Sequence, residues 1–268
     1  MIGDVMGDPG LEVLEKGLPL LIGEYSPDFI MVNGENSAGG FGLNADTLSR
    51  ILAAGADVVS SGNHVWEKRE FWPFMESEER ILRPENYPKG NPGRGWIRLQ
   101  KNIQGKNRIF LAINLQGREF MNPIDCPFRC FDSLWDGAAE QDKLKENAVI
   151  LVDFHAESSR EKEALGFYLD GRASVVAGTH THVQTADEKI LPNGTAYITD
   201  LGMTGVSNSV IGMDPKICID RARYQVLYHM EAAAGGSAES TAAVQGIAAE
   251  IDEETGKAVS IKRINLKP

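Results

Sequence analysis

Four of the five histidines in this chain of 268 residues stand just beyond apolar runs: His64 after DVVSSGN, His155 after ILVDF, and His180 and His182 after ASVVAGT. Asp4 follows a short opening run, and Glu35 and Asn36 follow DFIMVNG. Carboxylate, carboxamide and imidazole without thiolate make a donor set that favours iron or manganese, and less selectively zinc or magnesium. So many donors exceed the needs of one ion, and a carboxylate joining two ions is the natural arrangement. Ions ~3.5–4 Å apart can clamp both the attacking and the leaving oxygen of a displaced phosphoryl group. The chemistry expected of this set is therefore hydrolysis of phosphate esters.

Taken singly, each residue has a plainer reading. Asp4 would be a turn or cap residue, His155 a satisfied core histidine, Glu35 a solvated acid, and His180 with His182 an exposed loop pair. All of these must hold together for the set to mean nothing. The pair in THTH is read as extended, with alternate imidazoles on one face. Asp153, His155 and Glu157 share the same alternation, so a carboxylate there could orient a ligating imidazole.

The elements that must position these groups follow from periodicity. Met1–Val5 is read as a strand. Asp8 reads as the cap of a helix with Pro9 at its first position, and Leu11, Leu14, Leu18 and Leu21 form its apolar stripe. Asp28–Asn33 and Asp57–Ser60 read as strands on either side of a helix that Asn44 caps and Gly55 ends. This β-α-β-α-β order predicts a parallel sheet covered by helices, and in such sheets ligands gather at the carboxyl ends of strands. Strands are also expected at Gly95–Gln100 and Arg108–Asn114 around a turn at Gly105, and at Ala148–His155, Ala173–Gly178 and Thr195–Thr199. A helix is expected at Glu161–Leu169, and the C-terminal stretch reads as two antiparallel strands joined by EETG. Parallel units first and antiparallel strands later suggest two packed sheets in a single domain over residues 1–268, with an irregular, proline-rich connection at about residues 80–135. The glycine-rich SAGGFGL at residues 37–43 lacks the G-K-[ST] ending of a phosphate loop and is expected to form a flexible rim.

Bulk composition narrows the partners. A hydrophobic content of 42% supports a large core, and a net charge of −11 argues against an extended nucleic-acid face. It does not exclude a small phosphorylated substrate, because bound cations reverse the local field. Cys126, Cys130 and Cys218 are expected as free thiols. No apolar run approaches the ~20 residues of a membrane span, and no signal peptide is evident. A cytoplasmic protein without a membrane partner is the expectation, with a homo-oligomer left open.

Several long segments resemble one known group. GDVMGDPG (3–10), NGENSAGGFGL (33–43), GNHVWEKRE (62–70), NLQGR (114–118), DFHAE (153–157), DGRASVVAGTHTHVQTAD (170–187) and LPNGTAYITDLGMTG (191–205) resemble the bacterial metallophosphoesterases of the YmdB type, within the calcineurin-like phosphoesterases. The resemblance implies an α/β fold, a four-layer α/β/β/α sandwich of two mixed β-sheets, with a dinuclear centre between them. It implies that Asp4 and His182 hold one metal with Asn36 nearby, that Asn63, His155 and His180 hold the other, and that Glu35 bridges. His64 matches the group's general acid or transition-state stabiliser. The implied activity is hydrolysis of small phosphodiesters, notably 2′,3′-cyclic nucleotides, by a metal-bridging hydroxide. Similar proteins carry several more residues before the GDV segment, so the expectation is either a truncated first strand or a start assigned too late. Met6 stands where many phosphoesterases of the wider superfamily have histidine, which implies fewer nitrogen ligands on that metal. The rival readings are a phosphomonoesterase on the same centre and a regulatory nucleotide- or partner-binding protein that retains the metal site.

Overall fold

The computed structural model describes residues 1–139, 148–234 and 242–268. They run β1 (Asp4–Val5), α1 (Gly7–Tyr25), β2 (Met31–Asn33), α2 (Ala45–Ala53), β3 (Val58–Ser60) and, after a short 3-10 turn, α3 (Trp72–Ser77). The middle holds β4 (Trp96–Ile103), β5 (Lys106–Gln116), α4 (Pro127–Ala139), β6 (Ala148–His155), α5 (Ser159–Leu169) and β7 (Val175–Thr179). Then come β8 (Lys189–Ile190), β9 (Ala196–Ile198), β10 (Met203–Val206), α6 (Pro215–Tyr224), β11 (Ala242–Ile251) and β12 (Ala258–Leu266).

Local chemistry explains most boundaries. Asn44 and Thr47 form a capping box at α2, with Asn44 Oδ1 accepting the Thr47 N–H at 2.9 Å and Thr47 Oγ1 accepting the Asn44 N–H at 3.1 Å. Gly55, at φ 122, turns the chain away afterwards. Helix α5 begins ahead of its expected start because Ser158 Oγ accepts the Glu161 N–H at 3.3 Å. Helix α1 differs from expectation. Met6 occupies the cap position without a side-chain bond, its carbonyl accepting the Gly10 N–H at 3.0 Å. Asp8 is not the cap; it lies in the first turn, where a carboxylate faces the positive end of the helix dipole.

Two mixed sheets result. The larger has the order β4-β5-β6-β7-β9-β8, parallel through its middle and antiparallel at both edges. The second runs β1-β10-β11-β12, parallel at β1/β10 and antiparallel beyond. The parallel pair β2-β3 joins it through Ile2, whose N–H donates to the Met31 carbonyl at 2.9 Å and whose carbonyl accepts the Asn33 N–H at 3.0 Å.

Burial separates the layers. Leu11, Leu14 and Leu18 of α1 pack with Val244 and Ile264 on one outer face. Val175, Ala177 and Ile198 of the larger sheet meet Ile247 and Ala258 of the second between the sheets. Phe131, Leu165 and Leu169 from α4 and α5 close the other face against Val152 and Phe154. The order is therefore α/β/β/α, as expected. The region at about residues 80–135 is more regular than its prolines suggest, since it carries the β4-β5 hairpin and much of α4. Long-range burial of Phe131, 1% exposed, holds α4 in place. Cys126, Cys130 and Cys218 are free thiols, and burial pushes Cys130 up to about 12. Among the described residues no helix is long and apolar enough to cross a membrane.

Candidate metal centre

Every candidate except Asp4, which opens the two-residue strand β1, sits at or just past the carboxyl end of a strand. Asp4 lies on β1, Glu35 and Asn36 follow β2, and Asn63 and His64 follow β3. His155 is the last residue of β6, and His180 and His182 follow β7. The turn after β2 is set by Asn33, whose Oδ1 accepts the Glu35 N–H at 3.1 Å. Gly62 makes room beside it: a Cβ there would lie 2.2 Å from His155 Cδ2 and 2.4 Å from Glu35 Oε2.

His155 is the hub of one group. Its Nε2 lies 2.9 Å from Glu35 Oε1, 3.1 Å from Asn63 Oδ1 and 3.0 Å from His180 Nδ1. Glu35, Asn63 and His180 offer lone pairs into one small volume, and His155 adds a fourth once it gives up its proton, a donor set that fits a cation. Glu35, His155 and His180 each offer a ligand atom within 4.8 Å of the others. Burial works against a charged His155, but the charge and hydrogen bond of Glu35, followed by Asp4 and Asp153, push it up to about 9. Glu35 is held at about 2: burial opposes its ionisation, and His155 and the His64 N–H overcome that opposition. Burial and then the positive His155 push His180 down to about 3, which keeps the ring neutral with one nitrogen lone pair to offer.

The second group is Asp4, Asn36 and His182. His182 Nε2 lies 3.3 Å from Asn36 Oδ1 and 3.8 Å from Asp4 Oδ1. The Ile211 carbonyl, 2.8 Å from His182 Nδ1, can only accept, so Nδ1 is the donor there and Nε2 is the nitrogen turned toward Asn36 and Asp4. Asn36 is oriented by its own loop, since its Nδ2 donates to the Gly40 carbonyl at 3.0 Å. Asp4 Oδ1 is fully buried and has no hydrogen-bond partner. Burial pushes this carboxyl up to about 7. An orphaned buried carboxylate oxygen is costly, and a cation held here would satisfy it. The groups abut, with Asp4 Oδ1 3.9 Å from His155 Nδ1.

His64 stands apart. Its backbone N–H donates to Glu35 Oε2 at 3.2 Å, its ring Nδ1 lies 3.2 Å from Glu67 Oε1, and the ring meets Phe41 edge-on at 5.2 Å. The imidazole lies on the rim rather than in either donor group. The loop of residues 37–43 forms that rim but is not loose: Asn36 O accepts the Gly40 N–H at 3.0 Å and Gly42 O accepts the Ala38 N–H at 2.9 Å.

The profile of a family described as YmdB-like protein matches residues 1–264. The chain belongs to the YmdB-like family. It is 44% identical over 263 residues to the 2',3'-cyclic-nucleotide 2'-phosphodiesterase of Bacillus subtilis, covering 98% of this chain and 94% of that protein. A crystal structure of a hypothetical protein from Thermus thermophilus superposes with a TM-score of 0.85 at 40% identity, covering 100% of this chain and 98% of that one. One described as a novel phosphatase, from Mycoplasma pneumoniae, gives a TM-score of 0.88 at 30% identity, covering 99% and 91%.

Two details of this YmdB-like chain depart from the sequence expectations. The THTH segment is not extended, because His180 and His182 both adopt left-handed backbone, at φ 100 and 63. The imidazoles therefore diverge, His180 towards Glu35 and His155, His182 towards Asn36 and Asp4. Asp153 does not touch the His155 ring; it acts through Thr179, whose hydroxyl is 3.0 Å from His155 Nδ1 and donates to Asp153 Oδ1 at 2.6 Å. Glu157 contacts His180 instead, 3.2 Å from its Nε2. Thr179 and the Ile211 carbonyl escaped the sequence reading. The position of Thr179 directly before His180 was the only local signal for it, and a backbone carbonyl leaves none.

Proposed function

We propose that this YmdB-like protein is a metal-dependent phosphodiesterase acting on small phosphodiesters, with 2′,3′-cyclic nucleotides as its preferred substrates. The observation that carries the reading is the abutting of the two donor groups, Glu35–Asn63–His155–His180 and Asp4–Asn36–His182, with Glu35 reaching both His155 and the His64 backbone. The substrate class is drawn from the name of the B. subtilis relative. Two transition-metal ions, iron or manganese, fit this oxygen and nitrogen set.

When bound, such ions activate water and neutralise charge on the phosphoryl oxygens. The chain's own residues divide the remaining work. Thr179 and Ile211 give Nδ1 of His155 and of His182 an acceptor, so Nε2 of each ring is the nitrogen turned toward a cation. Glu35, ionised far below neutral pH, would be the carboxylate that the two ions share. His64, outside both groups and 28% exposed, is placed to donate a proton to the leaving oxygen. A phosphomonoesterase is the second reading, favoured by the description of the M. pneumoniae structure as a phosphatase.

Steady-state turnover of 2′,3′-cyclic AMP, 3′,5′-cyclic AMP and a simple monoester decides between them. The expected order places the 2′,3′-cyclic diester first. A monoester ahead by more than about tenfold in kcat/KM, roughly 1.4 kcal/mol of transition-state preference, makes the phosphatase the better reading.

A further inference from the structure

Lys162 and Asp200 form an ion pair outside the donor groups. Lys162 Nζ lies 2.7 Å from Asp200 Oδ2, and each side chain is only 1% exposed. Two charges withdrawn from water are tolerated when hydrogen bonds fill their remaining positions. Asp200 is filled in a telling way. Its Oδ2 accepts the Thr181 N–H at 3.2 Å and the Thr181 hydroxyl at 2.8 Å, and its Oδ1 accepts the Gly202 N–H at 2.9 Å. Lys162 reaches the pair from α5 across β7 at Gly178, where a Cβ would stand 2.8 Å from Lys162 Cδ.

Thr181 is the residue between His180 and His182, and both histidines have left-handed backbone, at φ 100 and 63. Residues with a side chain adopt that conformation at a cost and keep it where the surroundings impose it. A relaxed, extended segment would turn both imidazoles to one face. We propose that the buried Lys162–Asp200 pair is a clamp on Thr181 that keeps His180 and His182 turned to their separate donor groups, which makes Thr181 a positioning residue for the metal centre. This rests on the metal-centre reading above. The clamp touches neither group's ligand atoms, so losing it weakens cation binding without removing a ligand.

Thr181→Val deletes the hydroxyl at nearly constant volume, and Thr181→Ser keeps it. Two measurements on the full chain separate positioning from mere structural support: the Tm of chelator-stripped protein, and its affinity for manganese(II) by calorimetry. The valine variant is expected to keep the metal-free Tm within about 3 °C. It should bind manganese about 10–100-fold more weakly, with the serine variant restoring affinity to within about threefold. Asp200→Asn should move affinity in the same direction; if it fails to fold, the Thr181 pair still carries the test. Unchanged affinity in Thr181→Val, a loss that serine does not repair, or a larger fall in the metal-free Tm each overturns the clamp. If the unsubstituted chain takes up no manganese, the metal-centre reading falls with it. Uptake by that chain alongside an indifferent valine variant removes the clamp alone.

Discussion

The hydroxyl of Thr179 lies 3.0 Å from Nδ1 of His155 and passes its own proton to Asp153, 2.6 Å away. In the neutral imidazole, the form that can bind a cation, a nitrogen that donates on one side leaves a lone pair on the other. Asp153 also accepts from Ser60 Oγ at 2.5 Å and Asn33 Nδ2 at 2.9 Å, so the relay is fixed at its far end. Thr179→Val is expected to weaken metal binding about 10–100-fold, measured by titrating manganese into stripped protein. An affinity equal to that of the unsubstituted chain would show that Thr179 does not orient His155.

Glu35 faces His155 through Oε1 and the His64 N–H through Oε2. Protein purified without chelator and supplied with manganese or iron should carry close to two equivalents of metal, by elemental analysis. Glu35→Ala should lose occupancy of both ions together with activity, because a bridging carboxylate serves both. Retention of a full complement in that variant would remove Glu35 from the centre.

His64→Ala should leave metal content nearly unchanged while kcat falls by about two to four orders of magnitude. The ring lies outside both donor groups, beside Phe41 and Glu67. Loss of a metal from a folded His64→Ala protein would make this histidine a ligand instead.

Metal affinity should depend on pH with a definite sign. In the metal-free protein His155 is pushed up from 6.5 to about 9, so near neutral pH a cation must displace its proton. Affinity for manganese is therefore expected to rise with pH up to about 9. It should fall more steeply below about 7, where Asp4 also holds a proton. Calorimetry in buffers of different ionisation enthalpy would report proton release near pH 8, and its absence would contradict the raised His155.

Stability of the stripped protein should follow the opposite course. A group whose folded value lies above its unfolded one stabilises below the unfolded value and loses that contribution as pH rises through the folded one. For His155 the window runs from 6.5 to about 9, and for Asp4 from 3.8 to about 7. The buried Met1 ammonium, lowered from 8.0 to about 5, works the other way between those values, so the metal-free Tm should decline between pH 8 and pH 9, a decline that bound manganese suppresses. A metal-free Tm that rises across this range would contradict the sign.

The placement of Asp4, Glu35, Asn63, His155, His180 and His182 at strand ends was determined by the sequence itself. Apolar runs, caps such as Asn44 and breaks such as Gly55 are local signals, and they decide where strands stop and where helices start. The turn of each ligand was decided only by the tertiary structure. The divergence of His180 and His182 depends on Asp200, 19 residues beyond Thr181, and on Lys162 from another element. The tautomer of His182 depends on a carbonyl 29 residues away, and that of His155 on a hydroxyl 24 residues away. Helix α4 does have a local signal, Pro127 at its start and Phe128, Phe131, Leu134 and Trp135 at helical spacing, but burial of Phe131 against the larger sheet holds it in place. Periodicity and capping act over a few residues of chain, whereas orientation and charge are settled by neighbours that only folding brings within hydrogen-bond reach.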